Sequence, residues 1–403
     1  MARHLLFIGG EDHHLRLPFF CALKSRGYRV TAAASGPSEP FDQAGIPFEP
    51  IAFGRFFSPA RDLSSVRELG SLFERVDADL AHCFDTKLTL LVALAAASHP
   101  RTRLVRTING RGWIYSSRSP LAFGLRALYP HLQRLAARST DTHVFEHNGD
   151  CSFFTRHVLA ERGRAVVIPG AGIDVAGFEA AQARRVPAAD LRRELGLGEA
   201  PVVVTVTRIT RQKGIPALLK AAEIVHASLP DVKFLLVGPI EGEGPFAVSA
   251  EEIRRHAGYV IATGARTDIP DLLAMADLFA FPSEYAEGVP RALMEAALSG
   301  LPIVATEIAG CREVIRDGWN GRLTPLRDPG ALAEAILAML RDRKGAREMG
   351  SRGSDLIRGV FSLDNVVARH AELYEQILNR GRRGGILDQK QFDQPEAASL
   401  QSR

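Results

Sequence analysis

Short apolar runs alternate along this chain with longer segments in which apolar residues recur every three or four positions. The short runs predict β-strands, and the longer segments, such as 18–26 and 88–98, predict α-helices. In the first half of the chain, the predicted strands cover 4–8, 29–33, 79–83, 103–107, 142–145 and 165–168. Strands and helices that alternate in this way predict a parallel sheet with helices on both of its faces.

The alternation weakens over residues 176–199, which are rich in Ala, Arg, Gly and Pro, and then resumes. The second series of predicted strands covers 201–207, 232–237, 259–263, 278–281 and 301–305. We therefore expect a first domain over 1–175, an interdomain linker over 176–199 and a second domain over 200–361. An amphipathic helix follows at 362–380, and the polar tail 381–403 is predicted to be disordered because it has little to bury.

The composition is ordinary for a soluble globular protein, since 46% of the 403 residues are apolar and 24% are charged. The net charge of +4 is small, and no Lys/Arg tract suggests a nucleic-acid partner. The four cysteines show no CxxC spacing, which favours reduced thiols. No apolar run is long enough for a secretory signal or a membrane span. We expect a cytoplasmic protein whose membrane contact, if it has any, is peripheral.

The most informative motif holds two carboxylates eight positions apart, Glu287 and Glu295. Pro290 suits the first turn of a helix, so the motif predicts a helix over 290–299 that stops at Gly300. Glu287 would then lie on the loop before the helix, and Glu295 in its early turns. The helix N-terminus between them offers N–H groups and a positive dipole end, which suit a phosphorylated, hydroxyl-rich ligand. A nucleotide sugar has this chemistry.

Together with the Phe-Pro-Ser run at 281–283, this motif resembles the retaining GT-B glycosyltransferases of family 4, also called glycosyl transferases group 1. The Arg-x4-Lys-Gly segment formed by Arg208, Lys213 and Gly214 resembles another motif of that family, and residues 268–277 and 310–321 fill the expected spacing. The resemblance covers about residues 3 to 380. It implies an α/β GT-B fold, in which two Rossmann-like domains with parallel sheets face each other across a cleft and the C-terminal helix returns to the first domain.

The resemblance also implies a donor site. Arg208 and Lys213 would neutralise the diphosphate, Glu295 would bind the ribose hydroxyls, and Glu287 would lie near the donor sugar. The full set of donor-binding candidates is Gly9, Gly10, Arg208, Lys213, Arg266, Glu287, Gly288, Val289, Pro290, Arg291 and Glu295. Taken alone, the two cations could be solvated surface charges, and Glu287 could simply balance a helix dipole.

Acceptor-binding candidates follow several predicted strands of the first domain: His13, His14, His82, Lys87, Asn109 and Arg111. His13 and His14 are open between acceptor contact and solvent exposure. Many family members have a His-Gly pair where this chain has Asn109 and Gly110. Because an amide cannot exchange a proton as imidazole does, Asn109 is expected to act by hydrogen bonding. The catalytic candidates are Glu287, Arg208, Lys213 and Asn109.

The chain contains one Asp-x-Asp pair, Asp77 and Asp79, and it precedes a predicted strand. Ligands in α/β sheets bind at the carboxyl ends of strands, so this pair is a poor candidate for a metal site. We expect no metal and no cofactor, and a nucleotide sugar, with UDP favoured, as co-substrate.

A basic segment, residues 101–138, lies within a stretch without acids: from Thr86 to Thr140 there is no Asp or Glu, but there are nine Lys or Arg. Aromatic residues are interleaved, and Leu121, Leu125, Leu128, Leu132 and Leu135 recur at helical spacing. Such a segment is typical of docking on an anionic membrane or a lipid pyrophosphate. The alternative is an ordinary helix with the leucines in the core and the arginines in solvent.

The sequence therefore predicts a metal-independent retaining glycosyltransferase (EC 2.4). It would transfer a hexosyl or related group from a UDP-sugar to a lipid-linked or polysaccharide acceptor in cell-envelope, lipopolysaccharide or exopolysaccharide synthesis. It would act as a peripheral protein on the inner face of the plasma membrane. The alternatives are a GT-B sugar-nucleotide epimerase and a non-catalytic GT-B scaffold protein.

Overall fold

The computed structural model describes residues 2–54, 58–110, 114–115, 120–170, 172–183, 186–240, 244–285 and 288–380. The chain folds into two compact units. One unit contains residues 1–172 together with the C-terminal part from residue 363, and the other contains residues 173–362. The tail 381–403, predicted to be disordered, lies outside the described residues.

The sheet of the first unit has seven parallel strands in the order β3-β2-β1-β4-β5-β6-β7. The strands are β1 (His4–Gly9), β2 (Arg29–Ala34), β3 (Phe48–Pro50), β4 (Leu80–Cys83), β5 (Arg103–Ile108), β6 (Thr142–Phe145) and β7 (Ala165–Val167). All six strands predicted in this half of the chain are confirmed. The edge strand β3 was missed because it has only three residues and no apolar run.

Helices of the first unit cover both faces of this sheet. They are α1 (Leu17–Ser25), α2 (Glu39–Gln43), α3 (Pro59–Val76), α4 (Leu88–Ala96), α5 (Pro120–Arg138) and α6 (Asn148–Arg156). Alternate residues of β5 point to opposite faces: Val105 packs in the cluster that includes α1, and Leu104 in the cluster that includes α3 and α4. The chain thus forms the predicted layered α/β domain.

The sheet of the second unit has six parallel strands in the order β10-β9-β8-β11-β12-β13. The strands are β8 (Val202–Val206), β9 (Lys233–Val237), β10 (Val260–Gly264), β11 (Leu278–Phe281), β12 (Ile303–Thr306) and β13 (Arg322–Thr324). The five strands predicted here are confirmed. The short edge strand β13 was missed for the same reason as β3.

The helices of the second unit are α7 (Val175–Ala183), α8 (Ala188–Glu194), α9 (Ile215–Ser228), α10 (Ala250–Arg254), α11 (Ile269–Met275), α12 (Arg291–Leu298), α13 (Ala309–Val314), α14 (Pro329–Arg341) and α15 (Arg343–Val360). The prediction of a linker over 176–199 was wrong, because α7 and α8 belong to this unit. Ala and Arg favour helices, and Phe178, Leu191 and Leu197 are buried in the core of the unit.

The last helix, α16 (Leu363–Asn379), belongs to the first unit. Val366, Leu373 and Tyr374 on this helix pack in the same hydrophobic cluster as Phe7 of β1. A helix from the end of the chain therefore completes one face of the N-terminal sheet. Within the described residues, no helix has the length and hydropathy needed to cross a membrane.

Candidate active site

Two loops meet at the carboxyl ends of β8 and β11 in the second unit. The first loop, 207–214, follows β8, and the second, 282–285, follows β11. The N–H of Glu284 donates to the carbonyl oxygen of Gln212 at 3.0 Å. Gly214 approaches the second loop so closely that a Cβ atom there would lie 1.9 Å from the Pro282 carbonyl oxygen. These two loops form one surface, the β8–β11 platform, where α/β sheets bind ligands.

Lys213 lies on the β8–β11 platform with only 8% of its surface exposed. Its Nζ atom is 5.8 Å from the ring centroids of both Phe281 and Tyr285, within the range of cation–π attraction. The Thr210 hydroxyl oxygen accepts the N–H of Lys213 at 3.3 Å and caps the short 3-10 turn 211–213. Arg208, the other predicted cation, is half-buried in the same loop. The structure therefore brings the two predicted cations to one loop.

Residues from later strands hold the 282–285 loop in place. The guanidinium of Arg327 contacts the Glu284 carboxylate at 2.5 Å. The Thr306 hydroxyl at the end of β12 donates to the Ser283 carbonyl oxygen at 2.5 Å. Neither Glu284 nor Arg327 was identified from the sequence. Glu284 could have been found from its position after β11. Arg327 lies 43 residues later, and no sequence pattern indicates that it contacts this loop.

Helix α12 follows the second loop of this platform along the chain, after a stretch in which Gly288, Val289 and Pro290 are buried. Its observed span, Arg291–Leu298, confirms the helix predicted at 290–299, and Gly300 ends it with a φ of +73°. Glu295 is mostly buried, and its Oε1 accepts a hydrogen bond from Arg291 Nε at 2.8 Å. Glu287 lies outside the described residues.

Arg266, another predicted donor-binding residue, is held in a network of ion pairs. Its guanidinium makes two hydrogen bonds to the Asp268 carboxylate, at 2.8 and 2.6 Å, and a third to Glu194 at 2.9 Å. The hydrogen bond to Asp268 is the main cause that raises the pKa of Arg266. Two protein carboxylates therefore neutralise this charge in the structure, and the donor-binding role of Arg266 stays a prediction.

Gly9 and Gly10 follow β1 as predicted, and the structure gives both a packing reason. A Cβ atom on Gly9 would lie 1.9 Å from Nδ1 of His13, and the N–H of Gly10 donates to the Asp85 carboxylate at 2.7 Å. His13 is buried against Phe20, and burial lowers its pKa to about 3. The two alternatives considered for His13, acceptor contact and solvent exposure, were therefore both wrong. The donor role of the glycines stays a prediction.

His82 was predicted to follow a strand, but it lies inside β4 on the face covered by α16. Its ring is fully buried, with Nδ1 2.6 Å from the Tyr374 hydroxyl and Nε2 2.6 Å from the Thr107 hydroxyl. Burial is the main cause that holds the pKa of His82 well below its ordinary value. The acceptor-binding role predicted for His82 was wrong, because the ring is used inside the core.

The remaining acceptor candidates lie in different surroundings. Lys87 contacts the Asp62 carboxylate at 2.5 Å and the Gly54 carbonyl oxygen at 2.9 Å, so it is bonded to helix α3 and to the segment that precedes this helix. Asn109 directly follows β5, and its buried Oδ1 has no hydrogen-bond partner among the described residues. His14 is partly exposed, and Arg111 lies outside the described residues. His14 Nδ1 and Asn109 Oδ1 are both buried and have no hydrogen-bond partner among the described residues, and the acceptor-binding roles of these residues stay predictions.

A pocket in the first unit, at the carboxyl ends of β5 and β6, was not anticipated. Its polar lining consists of Arg16, Thr107, Glu146 and His370, and Phe84 is among its apolar residues. The Arg16 guanidinium stacks 4.0 Å from the centroid of the Phe84 ring. Glu146 directly follows β6, just as Asn109 directly follows β5. A search for polar residues at the carboxyl ends of the strands would therefore have selected Glu146 as well.

The two residues of the Asp-x-Asp pair, Asp77 and Asp79, have roles in the fold. The Asp79 carboxylate accepts the N–H of His4 at 2.7 Å, and Asp77 ends α3 in the left-handed region with a φ of 42°. The described part of the chain contains no cluster of three or more His, Cys, Asp or Glu side chains able to hold a metal ion.

Helix α5 forms the second half of the basic segment 101–138, and it exposes apolar residues that were considered for the core. Phe123, Leu128 and Leu135 are 59%, 47% and 45% exposed. Arg134 and Arg138 lie exposed on the same helix. We call these five residues the α5 surface. The alternative prediction, that the leucines of this helix lie in the core, is wrong for Leu128 and Leu135.

Two family models match the chain. The one described as glycosyl transferases group 1 matches residues 200–342, and the one described as a glycosyl transferase 4-like domain matches residues 19–171. Together they cover well over half of the chain, and each falls within one of the two units.

Similar proteins and structures support the same family. The N,N'-diacetylbacillosaminyl-diphospho-undecaprenol alpha-1,3-N-acetylgalactosaminyltransferase of Campylobacter jejuni is 24% identical over 92% of this chain and 97% of that protein. The UDP-Gal:alpha-D-GlcNAc-diphosphoundecaprenol alpha-1,3-galactosyltransferase of Escherichia coli is 26% identical over 77% and 81%. The crystal structure of Anabaena Alr3699/HepE in complex with UDP-glucose matches with a TM-score of 0.75 and 22% identity, covering 93% of this chain and 99% of that one. The chain therefore belongs to the group 1 glycosyltransferases of family 4, and its two α/β units form the two-domain GT-B fold.

Proposed function

We propose that this chain transfers a hexosyl or N-acetylhexosaminyl group from a UDP-sugar to a glycan carried on a lipid diphosphate. The observation that carries this proposal is the β8–β11 platform, where Lys213 is held against Phe281 and Tyr285 beside the start of α12. A fixed cation next to a helix N-terminus suits the diphosphate of a nucleotide sugar.

Donor recognition would use both sides of this platform. Arg208 and Lys213 would neutralise the charge that grows on the diphosphate as the sugar departs. Glu295 would bind the ribose diol, with its carboxylate oriented by Arg291, and Glu287 would bind hydroxyls of the transferred sugar. UDP is favoured because the similar Anabaena structure contains UDP-glucose and the similar E. coli enzyme is named for UDP-Gal.

We propose that transfer retains the anomeric configuration. The bond between the sugar carbon and the β-phosphate oxygen breaks, and the acceptor oxygen bonds to that carbon on the same face. The proton of the acceptor hydroxyl passes to the departing phosphate oxygen. Asn109 would hydrogen-bond to the acceptor or the donor sugar through its unpartnered Oδ1, and it would not take the proton. The two cations would supply the charge stabilisation that other transferases obtain from a metal.

The acceptor is proposed to be lipid-linked for two reasons. The similar Campylobacter and E. coli transferases are both named for diphospho-undecaprenol acceptors. The α5 surface also combines exposed Phe and Leu side chains with arginines, as expected of a protein that works at an anionic membrane. We therefore propose a peripheral protein at the cytoplasmic face of the membrane, in envelope or exopolysaccharide synthesis.

A donor and acceptor screen tests the proposal. The purified protein is incubated with UDP-Glc, UDP-Gal, UDP-GlcNAc, UDP-GalNAc or GDP-mannose, together with a polyprenyl-diphosphate-linked GlcNAc, with Mg²⁺ or with excess EDTA. Mass spectrometry of the lipid should show one added sugar from a UDP donor in both conditions, and NMR of the product should show the α-anomer.

Controls separate this function from the alternatives. A UDP-sugar that is epimerised without any acceptor would indicate an epimerase. Transfer to soluble sugars alone, or from GDP-mannose alone, would contradict the proposed acceptor or donor. If no donor reacts with any acceptor, although UDP binds, a non-catalytic scaffold would be the better description.

A further inference from the structure

Arg106 on β5 is fully buried in the first unit, which is unusual for an arginine. Its guanidinium makes one hydrogen bond, from Nη2 to Gln133 Oε1 at 2.7 Å. Its Nε and Nη1 atoms are buried and have no hydrogen-bond partner in the described part of the chain. An ion buried without a counter-charge is costly by several kcal/mol, so this charge calls for a compensating group.

The groups around Arg106 are also unpartnered. His143 of β6 is its neighbour in the parallel register, and Tyr129 and Gln133 on α5 are one helical turn apart. Within the described residues, both ring nitrogens of His143, the Tyr129 hydroxyl and Gln133 Nε2 are buried and have no partner at hydrogen-bond geometry, although the Gln133 amide lies near the Tyr129 hydroxyl and the Arg164 backbone lies near His143. The hydrogen bond from Arg106 to Gln133 brings this turn of α5 against β5, beside the paired residues Arg106 and His143.

Hydrogen-bond donors outnumber acceptors in this cluster. The guanidinium and the Gln133 amide offer several unused N–H groups, whereas the unused acceptors are the Tyr129 oxygen and one nitrogen of neutral His143. Re-pairing these groups among themselves cannot satisfy the donors. The cluster therefore lacks an acceptor, and an acceptor with negative charge would also balance Arg106.

Carboxylates do not fill this role. No Asp or Glu occurs between Thr86 and Thr140, so β5, α4 and α5 contain none. Asp85, just after β4, accepts the N–H of Gly10 at 2.7 Å. Asp150 on α6 is buried and acts on the Tyr129 hydroxyl, but its carboxylate contacts His147 Nε2 at 3.1 Å, and Arg106 makes no ion pair within the described residues. The acid-free composition that was interpreted as a membrane signal thus also leaves a buried cation without a protein counter-charge.

We propose that Arg106, Tyr129, Gln133 and His143 bind a small inorganic anion, which in the cell is chloride, between α5 and strands β5 and β6. A halide accepts hydrogen bonds from any direction, which suits donors that come from two strands and a helix. It is also small enough to be enclosed by side chains that are themselves fully buried. The anion would neutralise Arg106 and link α5 to the sheet, so it would stabilise the folded first unit.

Bromide gives a direct test, because it replaces chloride and scatters anomalously. Crystals of the full chain grown in sodium bromide should show an anomalous peak within hydrogen-bond distance of the Arg106 guanidinium. Surface bromide sites in the same crystal serve as the internal control for soaking. If these are visible and no peak lies at Arg106, the cluster is hydrated and the proposal is wrong.

Unfolding in solution gives an independent test. Urea unfolding is measured over a series in which chloride replaces gluconate at constant ionic strength, so that general screening does not change. Above the dissociation constant, each tenfold rise in chloride should raise the ratio of folded to unfolded protein about tenfold. Equal stability in chloride and in gluconate would overturn the proposal.

Variants identify the site of any chloride effect. Arg106→Gln should abolish the response to chloride. Arg103→Gln is the matched control on the same strand, because Arg103 is paired with Asp141 at 2.8 Å, and it should keep the full response. If Arg106→Gln does not fold, Tyr129→Phe removes a single donor and should weaken the response. If Arg106→Gln folds and responds to chloride as the wild type does, the anion binds elsewhere and the assignment is overturned. If Arg106→Gln does not fold, an unchanged response in Tyr129→Phe leads to the same conclusion.

Discussion

Gly214 and Pro282 are in backbone contact, and this contact joins the two loops of the β8–β11 platform. Gly214 has a φ of +71°, and a Cβ atom on it would lie 1.9 Å from the Pro282 carbonyl oxygen. Glycine is therefore required here twice, once for the backbone conformation and once for the close approach. The position of Lys213 relative to Tyr285 depends on this contact.

Gly214→Ala should push the two loops apart and lower kcat/KM by at least about tenfold. Gly300→Ala is the matched control, since Gly300 has a φ of +73° but a Cβ atom added to it would meet nothing within 4 Å. Both substitutions impose a left-handed alanine, which costs about 1 kcal/mol. Steady-state kinetics and urea unfolding of both variants separate the contact from the backbone strain. Equal effects of the two substitutions would contradict the importance of the contact.

Lys213→Ala should lower kcat by about two orders of magnitude or more, as for loss of one preorganised charge donor. Because Lys213 is buried against Phe281 and Tyr285, urea unfolding of the variant is measured as well, and the loss of rate should exceed what any loss of folded protein explains. Arg211→Ala provides the control from the same short turn, since Arg211 pairs with Glu252 at 2.7 Å and is largely exposed. Turnover of purified, folded Lys213→Ala close to wild type would exclude a role for this cation in phosphate stabilisation.

Glu295→Gln and Glu287→Gln should affect different kinetic constants. Glu295→Gln should weaken the hydrogen bonds to the two ribose hydroxyls. Because these contacts change little along the reaction, the KM for the donor should rise. Glu287→Gln should lower kcat, because this carboxylate is proposed to contact the transferred sugar. Initial rates over a range of UDP-sugar concentrations measure both. Identical kinetic changes in the two variants would refute the separate roles.

The sequence predicted the strands well because most of the buried parallel strands are short and predominantly apolar, even where a polar residue such as Arg106 of β5 interrupts them. It failed for the histidines, since a position inside β4 and one just after it look alike in the sequence. The ring of His82 contacts the hydroxyl of Tyr374, which comes from a helix almost 300 residues later, and no local sequence pattern predicts that contact. The ion pair between Arg266 and Glu194 could not be predicted for a related reason, because Glu194 lies on a helix in the segment interpreted as a linker.

Those buried histidines lead to a prediction about acid stability. Burial lowers the pKa of His13 to about 3 and that of His370 to about 4, from an ordinary value near 6.5. The fold therefore favours the neutral rings. Their stabilising contribution is complete above about pH 6.5 and is lost as the pH falls toward the folded-state pKa. Each ring should remove about 1.4 kcal/mol per pH unit in that window.

Urea unfolding at pH 7.5, 6.5, 5.5 and 4.5 measures this loss. His370→Gln should unfold at lower urea at pH 7.5 but should show a shallower decline in acid, because one titrating ring is gone. His131→Gln is the control, since His131 is exposed on α5 and should leave the slope unchanged. A pH-independent free energy of unfolding between 6.5 and 4.5 in the wild type would contradict the prediction.

The α5 surface should bind anionic membranes through both its apolar and its basic side chains. Each basic residue near such a surface contributes about 1 kcal/mol and is screened by salt. Arg126, by contrast, donates from Nε to the Ile114 carbonyl oxygen at 2.7 Å, so it serves the fold and should not be altered in the test. We expect the wild-type protein to sediment with phosphatidylglycerol vesicles at low salt and to be released as salt is raised.

Two sets of substitutions separate the contributions to this binding. Arg134→Ser with Arg138→Ser should weaken binding mostly at low salt. Phe123→Ser with Leu128→Ser should weaken it at every salt concentration, because apolar insertion is not screened. Leu63→Ser, on an exposed leucine of α3, is the matched control and should bind like wild type. All variants should still glycosylate a short-chain soluble acceptor, since the β8–β11 platform is untouched. If the wild-type protein ignores anionic vesicles at low salt, the exposed residues of α5 have another partner and the acceptor reaches the enzyme from solution.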